Sequence, residues 1–266
     1  MVNKSELKKM IQDAEMVLVG IGEELESGFS ILESSQIYED LKRKLKAEGL
    51  AEENYEWVYP CLLQQAEKES EEARLLSDFY LELKDMLGDK NYFIISMNMD
   101  SMLEETGFSV ERYVQPFGNY ELLQCDRACT KELKDAGEMK KNVLQSIRNG
   151  TELLASLKKS YCLHCGSEMV FNNVNAGNYL EEGYLENWKR YTKWIEGTMN
   201  RKVCILELGV MLNYPSMIRW PFEKLGYLNQ KASFVRMNSV IPQLTGELAG
   251  KGISVRTSSI NFFLER

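Results

Sequence analysis

Met16-Val17-Leu18-Val19 is an unbroken apolar run, too short for a helix and closed by Gly20. A strand with one wet face alternates apolar and polar residues. A run apolar at every position suits a strand buried on both faces, as in a parallel sheet covered by helices. Tyr92-Phe93-Ile94-Ile95 and Val203-Cys204-Ile205-Leu206 repeat the pattern. Ala232 to Arg236 and Ile253 to Arg256 extend it, and a short strand is expected near Glu111 to Val114. Helical periods fill the intervals. Ser5 to Ala14 places Leu7, Met10 and Ile11 on one face; Tyr38 to Ala47 follows, then Val58 to Leu87, long enough to break in two. A short helix from Asp100 to Glu105 and another from Ser216 to Leu225 complete the pattern. Apolar strands alternating with helices predict an α/β fold, a doubly wound parallel sheet.

The alternation stops between Cys125 and Cys165, a charged stretch that reads as helix-rich. It is taken as a small inserted module, residues 119–174, within a sheet domain formed by 1–118 and 175–266. Cys125 and Cys129 make a C-x3-C pair, Cys162 and Cys165 a C-x2-C pair with Gly166 behind it. Two such knuckles supply four thiolates to a tetrahedral zinc ion, and closed sites of this kind are structural. The alternative is four incidental buried thiols. Cys61 and Cys204 sit among apolar residues and read as small buried hydrophobes. His164, the sole histidine, lies inside the second pair. It could replace a ligand or stand exposed on the knuckle, and in either case is a poor catalytic base for a site elsewhere.

A net charge of −8 weighs against nucleic acid or an anionic membrane as partner. No signal-peptide order opens the chain, and no apolar run approaches the ~20 residues that span a bilayer. A cytoplasmic protein is expected, and in that reducing setting paired cysteines favour metal over disulfides.

Two strand ends carry candidate binding groups. Gly20-Ile21-Gly22 follows the first strand, where glycines let backbone amides approach a pyrophosphate. Position 25 is leucine, so the spacing is not G-x-G-x-x-G, and a tight turn is the alternative. Ser96-Met97-Asn98-Met99-Asp100 ends the second strand. Asn98 and Asp100 could reach a ligand at the carboxyl edge of the sheet, or cap the helix that follows. Trp188, Tyr191 and Trp194 recur at helical spacing within Tyr184 to Met199, as core or as a cleft wall.

Taken together these segments resemble the sirtuin family. The family's GAGIS and SGIPDFR motifs align without a gap on Gly20 to Glu33, its TQNID on Ser96 to Asp100, and its AG pair on Thr106-Gly107. Its HG falls on Phe117-Gly118, eight residues before Cys125, and the cysteine quartet sits where the family keeps zinc. The glycine of its GTS turn matches Gly209, and an asparagine after the next strand matches Asn238. The resemblance implies a Rossmann-like sheet domain, a structural zinc module and NAD. It places Gly20, Ile21, Gly22 and Glu24 along the pyrophosphate and Gly209 and Asn238 at the adenosine half. Asn98 would lie beside the nicotinamide ribose and Asp100 at the carboxamide, the two candidate catalytic residues. Asp100 is expected to be ionised at neutral pH unless strongly buried.

The departures are specific. The family's general base, a histidine, is Phe117 here. Phenylalanine takes no proton, and a positioned base is typically worth ~10²–10⁴ in rate. The family's glutamine is Met97, its loop serine Glu24 and its arginine Glu33, and its VxFGE strand has no clear counterpart around Phe171 to Val174. Three functions fit these residues. One is a divergent NAD-consuming enzyme, a lysine deacylase, ADP-ribosyltransferase or NAD hydrolase, with a modified-lysine protein among its substrates. Another is a silent module that binds NAD or ADP-ribose. The last is a scaffold holding a non-nucleotide ligand, because Glu23, Glu24 and Glu33 suit a cation or hydroxyls better than a diphosphate. Arg219 is the residue expected to restore the positive charge that Glu33 removes.

Overall fold

The computed structural model describes residues 2–26, 28–148 and 154–266. Ser27, in the aligned glycine loop, and residues 149–153, inside the expected insertion, lie outside the described residues. In chain order the strands are β1 (Met16–Ile21), β2 (Asn91–Ser96), β3 (Tyr113–Val114), β4 (Gly118–Cys125), β5 (Lys134–Asp135), β6 (Met169–Asn173), β7 (Val203–Leu208), β8 (Ser233–Met237) and β9 (Gly252–Val255). The helices are α1 (Lys4–Asp13), α2 (Ser30–Glu33), α3 (Gln36–Glu48), α4 (Tyr59–Glu69), α5 (Glu71–Leu87), α6 (Met102–Glu105), α7 (Gly137–Arg148), α8 (Leu185–Glu196), α9 (Arg219–Leu228) and α10 (Ser259–Phe263). Among the described residues none of them is long and apolar enough to cross a membrane.

The large sheet has the order β3-β2-β1-β7-β8-β9, and every pairing in it is parallel. All six residues of β1 and all six of β7 are buried, which is why these strands are apolar at almost every position. Val17, Val19 and Ile21 pack with Leu7 and Ile11 of α1, Phe79 and Leu83 of α5 and Phe263 of α10. Met16 and Leu18 point the other way, to Tyr191 of α8 and Phe222 of α9. Each such side chain contributes roughly 1.5–3 kcal/mol when fully buried, so helices on both faces are what make the central strands stable. Trp188 and Trp194 flank this second cluster, so the aromatic stripe is core packing.

Two charges break the apolar rule. Glu207 of β7 and Arg236 of β8 are fully buried and pair directly, Nε to Oε1 at 2.6 Å and Nη2 to Oε2 at 2.9 Å. Glu223 of α9 closes on the same guanidinium at 2.7 Å. Arg219 donates to the Ile241 carbonyl at 2.8 Å and lies 3.6 Å from Glu207. Its expected part as a free cation for a diphosphate is thereby corrected, because its guanidinium is held inside this network.

The stretch between the cysteine pairs is less helical than its composition suggests. β4 pairs antiparallel with β5 and β6 into a small sheet, with α7 as the helix of the module. The third hydrophobic cluster crosses the expected boundary. Ile31, Ile37, Leu41 and Leu62, from α2 to α4, pack with Tyr120, Val143 and Ile147. Residues 30–69 therefore share a core with the inserted module rather than with the large sheet. Their amphipathic faces are equally compatible with either partner, so periodicity could not assign them.

Candidate functional site

The parallel strands β1, β2, β7 and β8 end on one edge of the sheet, and the strand order reverses between β1 and β7. Open parallel sheets bind ligands at this position. Gly20 lies inside β1, paired with Ile95 and Glu207. A Cβ there would stand 2.5 Å from Ile218 and 2.7 Å from Phe222, so this glycine admits α9 onto the sheet. Ile21 is a buried core residue. Both residues are thus packed into the body of the sheet. Gly22 leaves the strand, and a Cβ on it would fall 2.3 Å from the Val210 Cα. Gly209 takes a left-handed φ of 63°, and its bare Cα makes room for the Glu24 side chain.

Acidic side chains occupy the donors at these strand ends. Glu23 accepts the Met211 N–H at 3.0 Å, Glu24 the Ser239 N–H at 3.2 Å, and Glu26 the Met99 N–H at 3.4 Å. Backbone amides at the ends of parallel strands are the donors that phosphate oxygens take. Asn238 is fully buried and spent on its own loop: its Nδ2 donates to the Val210 carbonyl at 3.0 Å, and its Oδ1 accepts Val240 and Ile241 N–H. Glu33 is exposed on α2.

Past the end of β2 the polar groups have no such partners. Asn98 is fully buried, and neither its Oδ1 nor its Nδ2 meets a hydrogen-bond partner. Asp100 accepts the Met102 N–H at 3.1 Å through Oδ1, in the turn that leads into α6, while its Oδ2 is buried and unpartnered. Burial pushes the Asp100 carboxyl up to about 8, with Glu67, Glu26 and Glu105 adding to the shift. The expected carboxylate is thus a neutral acid at neutral pH, able to donate where an ion would only accept. Gln115 braces this loop, its Nε2 donating to the Asn98 and Asp100 carbonyls at 2.9 Å each. Tyr80 of α5 and Tyr120 of β4 end in buried, unpartnered hydroxyls. Tyr120 also lines a hollow of about 240 Å³ with Phe29, Phe171, Asn173 and Asn175.

Tyr80, Gln115 and Glu26 escaped the sequence reading. Tyr80 shares the period of Ala73, Leu76 and Leu83, so it reads as a core position on α5. Phe117 stands just before β4, its ring edge-on to Tyr214 at 4.9 Å. It clasps the loop after β7, an apolar contact where the resemblance expects a proton acceptor. Met97 is buried in the core beside it.

The four cysteines converge at the far end of the small sheet. Their sulfurs all lie within 4.8 Å of one another, with Cys125 to Cys165 and Cys129 to Cys162 at 3.5 Å. Four free thiols on two knuckles fit a closed tetrahedral zinc site. Hydrogen bonds from Ser167, side chain and backbone, pull the Cys165 thiol down to about 6, toward the thiolate that binds metal. His164 is exposed and meets Glu132 at 3.1 Å, outside the quartet.

No protein-family model matches the chain. It is 24% identical over 161 residues to a protein ADP-ribosyltransferase of Staphylococcus aureus, covering 60% of this chain and 50% of that protein. It is 30% identical over 138 residues to a probable bifunctional ADP-ribose hydrolase/ADP-ribosyltransferase of Fusarium oxysporum f. sp. cubense, covering 50% of this chain and 23% of that protein. The chain thus spans half or less of these relatives. Among solved structures, Sir2Tm bound to a propionylated peptide superposes with TM-score 0.54 at 13% identity, covering 99% of this chain and 97% of the other. A histidine mutant of a Sir2 homologue in complex with ADP-ribose gives 0.55 at 12% identity, covering 99% and 94%. The chain has the sirtuin fold.

Proposed function

We propose that the chain is a divergent sirtuin-like NAD-consuming enzyme, and that its reaction is ADP-ribosyl transfer to a protein rather than lysine deacylation. The observation that carries this reading is the pairing of an open set of buried polar groups, Asn98 and Asp100, with an apolar residue at the base position, Phe117. Breaking the bond between the ribose C1′ and nicotinamide sends the electron pair to the ring nitrogen and cancels its positive charge. That step depends on strain and on stabilising the cationic sugar, which Asn98 can do as a dipole without accepting a proton. An ionised acceptor then bonds to C1′ and needs no base. Deacylation requires a ribose hydroxyl to be activated, the task for which Phe117 is unfit. The transferase relatives favour the same choice.

In this reading NAD is the substrate and ADP-ribose the transferred group. Asp100, as a neutral acid, faces the carboxamide. Gly22, Gly209 and Asn238 frame the side of the crevice where the diphosphate and adenosine lie, and the hollow beside Tyr120 receives the acceptor side chain. Cys125, Cys129, Cys162 and Cys165 hold a zinc ion that cross-links the small layer and takes no part in the chemistry. The protein works in the reducing cytoplasm, where such thiols stay unoxidised, and its partners are proteins rather than nucleic acid or membrane.

A second reading is favoured by one specific contact set. Glu23 and Glu24 occupy amides that a diphosphate would need, as in a module that binds NAD weakly or holds another ligand. Calorimetric titration of NAD and ADP-ribose, with free nicotinamide assayed in the same samples and Glu24→Gln run beside the wild type, separates them. Binding with nicotinamide release is the expected result, tighter in the variant by about tenfold once a like charge is removed. Binding without release leaves the silent module, and no binding of either nucleotide leaves the non-nucleotide scaffold.

A further inference from the structure

Tyr80 has no counterpart in any role assigned above. It lies on α5, is fully buried, and packs edge-on against Phe79 and Phe108 at 5.2 and 6.5 Å. Its hydroxyl lies beside the Asn98 side-chain amide and near Asp100, in the loop after β2. There it meets no hydrogen-bond partner, like both polar atoms of Asn98 and the Oδ2 of Asp100. A buried phenol without a partner costs stability, and phenylalanine would fill the same volume without that cost. Clustered polar atoms with unmet bonds, supplied by two separate elements, mark a surface shaped for something other than the chain itself.

We infer that Tyr80 is a positioning residue of the nicotinamide end of the crevice, its hydroxyl setting the side-chain amide of Asn98 once a planar carboxamide ring completes the hydrogen bonds. The inference rests on the NAD-consuming reading and assigns it a group from beneath the sheet edge. The phenol can donate to the Asn98 Oδ1, which leaves Nδ2 as the donor directed at the ligand. An Asn98 amide without this anchor rotates freely between its two orientations, and only one of them presents the donor. Tyr80 touches neither diphosphate nor adenosine, so its influence is confined to ligands that carry the nicotinamide ring.

The test compares wild type with Tyr80→Phe in three measurements: thermal unfolding, ADP-ribose affinity, and nicotinamide release from NAD with its inhibition by added nicotinamide. Expected are a melting temperature unchanged or raised and an ADP-ribose Kd within about twofold. Nicotinamide release should fall, and the half-inhibitory nicotinamide concentration rise, by roughly three- to tenfold, the worth of one hydrogen bond. A merely structural tyrosine would give the opposite pattern, a lower melting temperature with both ligands weakened alike, and that result overturns the inference. So does an unchanged nicotinamide response in a variant that binds ADP-ribose normally. A wild-type chain that neither binds ADP-ribose nor releases nicotinamide sinks the NAD reading itself, and Tyr80's role with it.

Discussion

At the scale of single residues, Asp100 shows how burial rewrites a side chain's chemistry. Its carboxyl, pushed up to about 8 by burial, stays protonated in the fold across a range where the unfolded chain has already released the proton. The folded state then binds more protons than the unfolded one between about pH 4 and 8, so stability falls as pH rises through that window and levels off above it. Each pH unit costs at most about 1.4 kcal/mol. Asp100→Asn, with no proton to lose, should flatten this slope. Urea unfolding at pH 5 and pH 8 measures it, and equal slopes in variant and wild type would mean that Asp100 is ionised after all. If the neutral acid donates to the carboxamide, wild-type nicotinamide release should also decline above pH 8.

Among the elements, α9 is bound to the sheet by an unusual mixture of contacts. Phe222 packs over the bare Cα of Gly20, while Arg219 and Glu223 extend into the buried charge network of Glu207 and Arg236. Removing one member strands the others without water, at a cost of about 3–5 kcal/mol. Glu207→Gln should therefore lower the unfolding free energy measured in urea by that order, and Arg219→Met should destabilise the fold as well as any ligand site. A loss of nucleotide affinity in Arg219→Met at unchanged stability would contradict the placement. The strands flanking α9 were legible because Val203 to Leu206 is apolar at every position. The charge network was not, because Glu207 and Arg236 carry no local mark that distinguishes a buried ion from a strand-end surface charge.

For the molecule as a whole, the large sheet and the small layer have separate cores, and the zinc knuckles lie on the small one. Tyr120, Val143 and Ile147 join α2, α3 and α4 in a cluster that shares no residue with either face of the large sheet. The protein should carry one zinc per chain, measurable by elemental analysis. Chelation or Cys129→Ser should lower the stability of the small layer first, since ligand binding energy is folding energy for such a module. Hydrogen exchange is the direct readout: protection lost in β4 to β6 and α7 and retained in β1 and β7. Uniform loss across both would show the two cores to be one cooperative unit.

The sequence by itself determined the class of fold and the thiol quartet that fits zinc. Short runs with no polar face can be stable only between two layers of helices, and two thiol pairs at knuckle spacing have few other uses; both are local properties. Spacing alone also brought Gly22, Asn98, Asp100, Gly209 and Asn238 to strand ends, because motif order survives where identity does not. Only the tertiary structure decided what surrounds those residues there. It turned Gly20 into a packing glycine by laying Phe222 against it, took Arg219 out of solvent, and directed Glu23 and Glu24 onto the amides of the next strands. It also left Asn98, Asp100 and Tyr80 with unmet hydrogen bonds in one place. Burial, protonation and the choice of partner depend on residues distant in the chain, and no pattern along the chain records them.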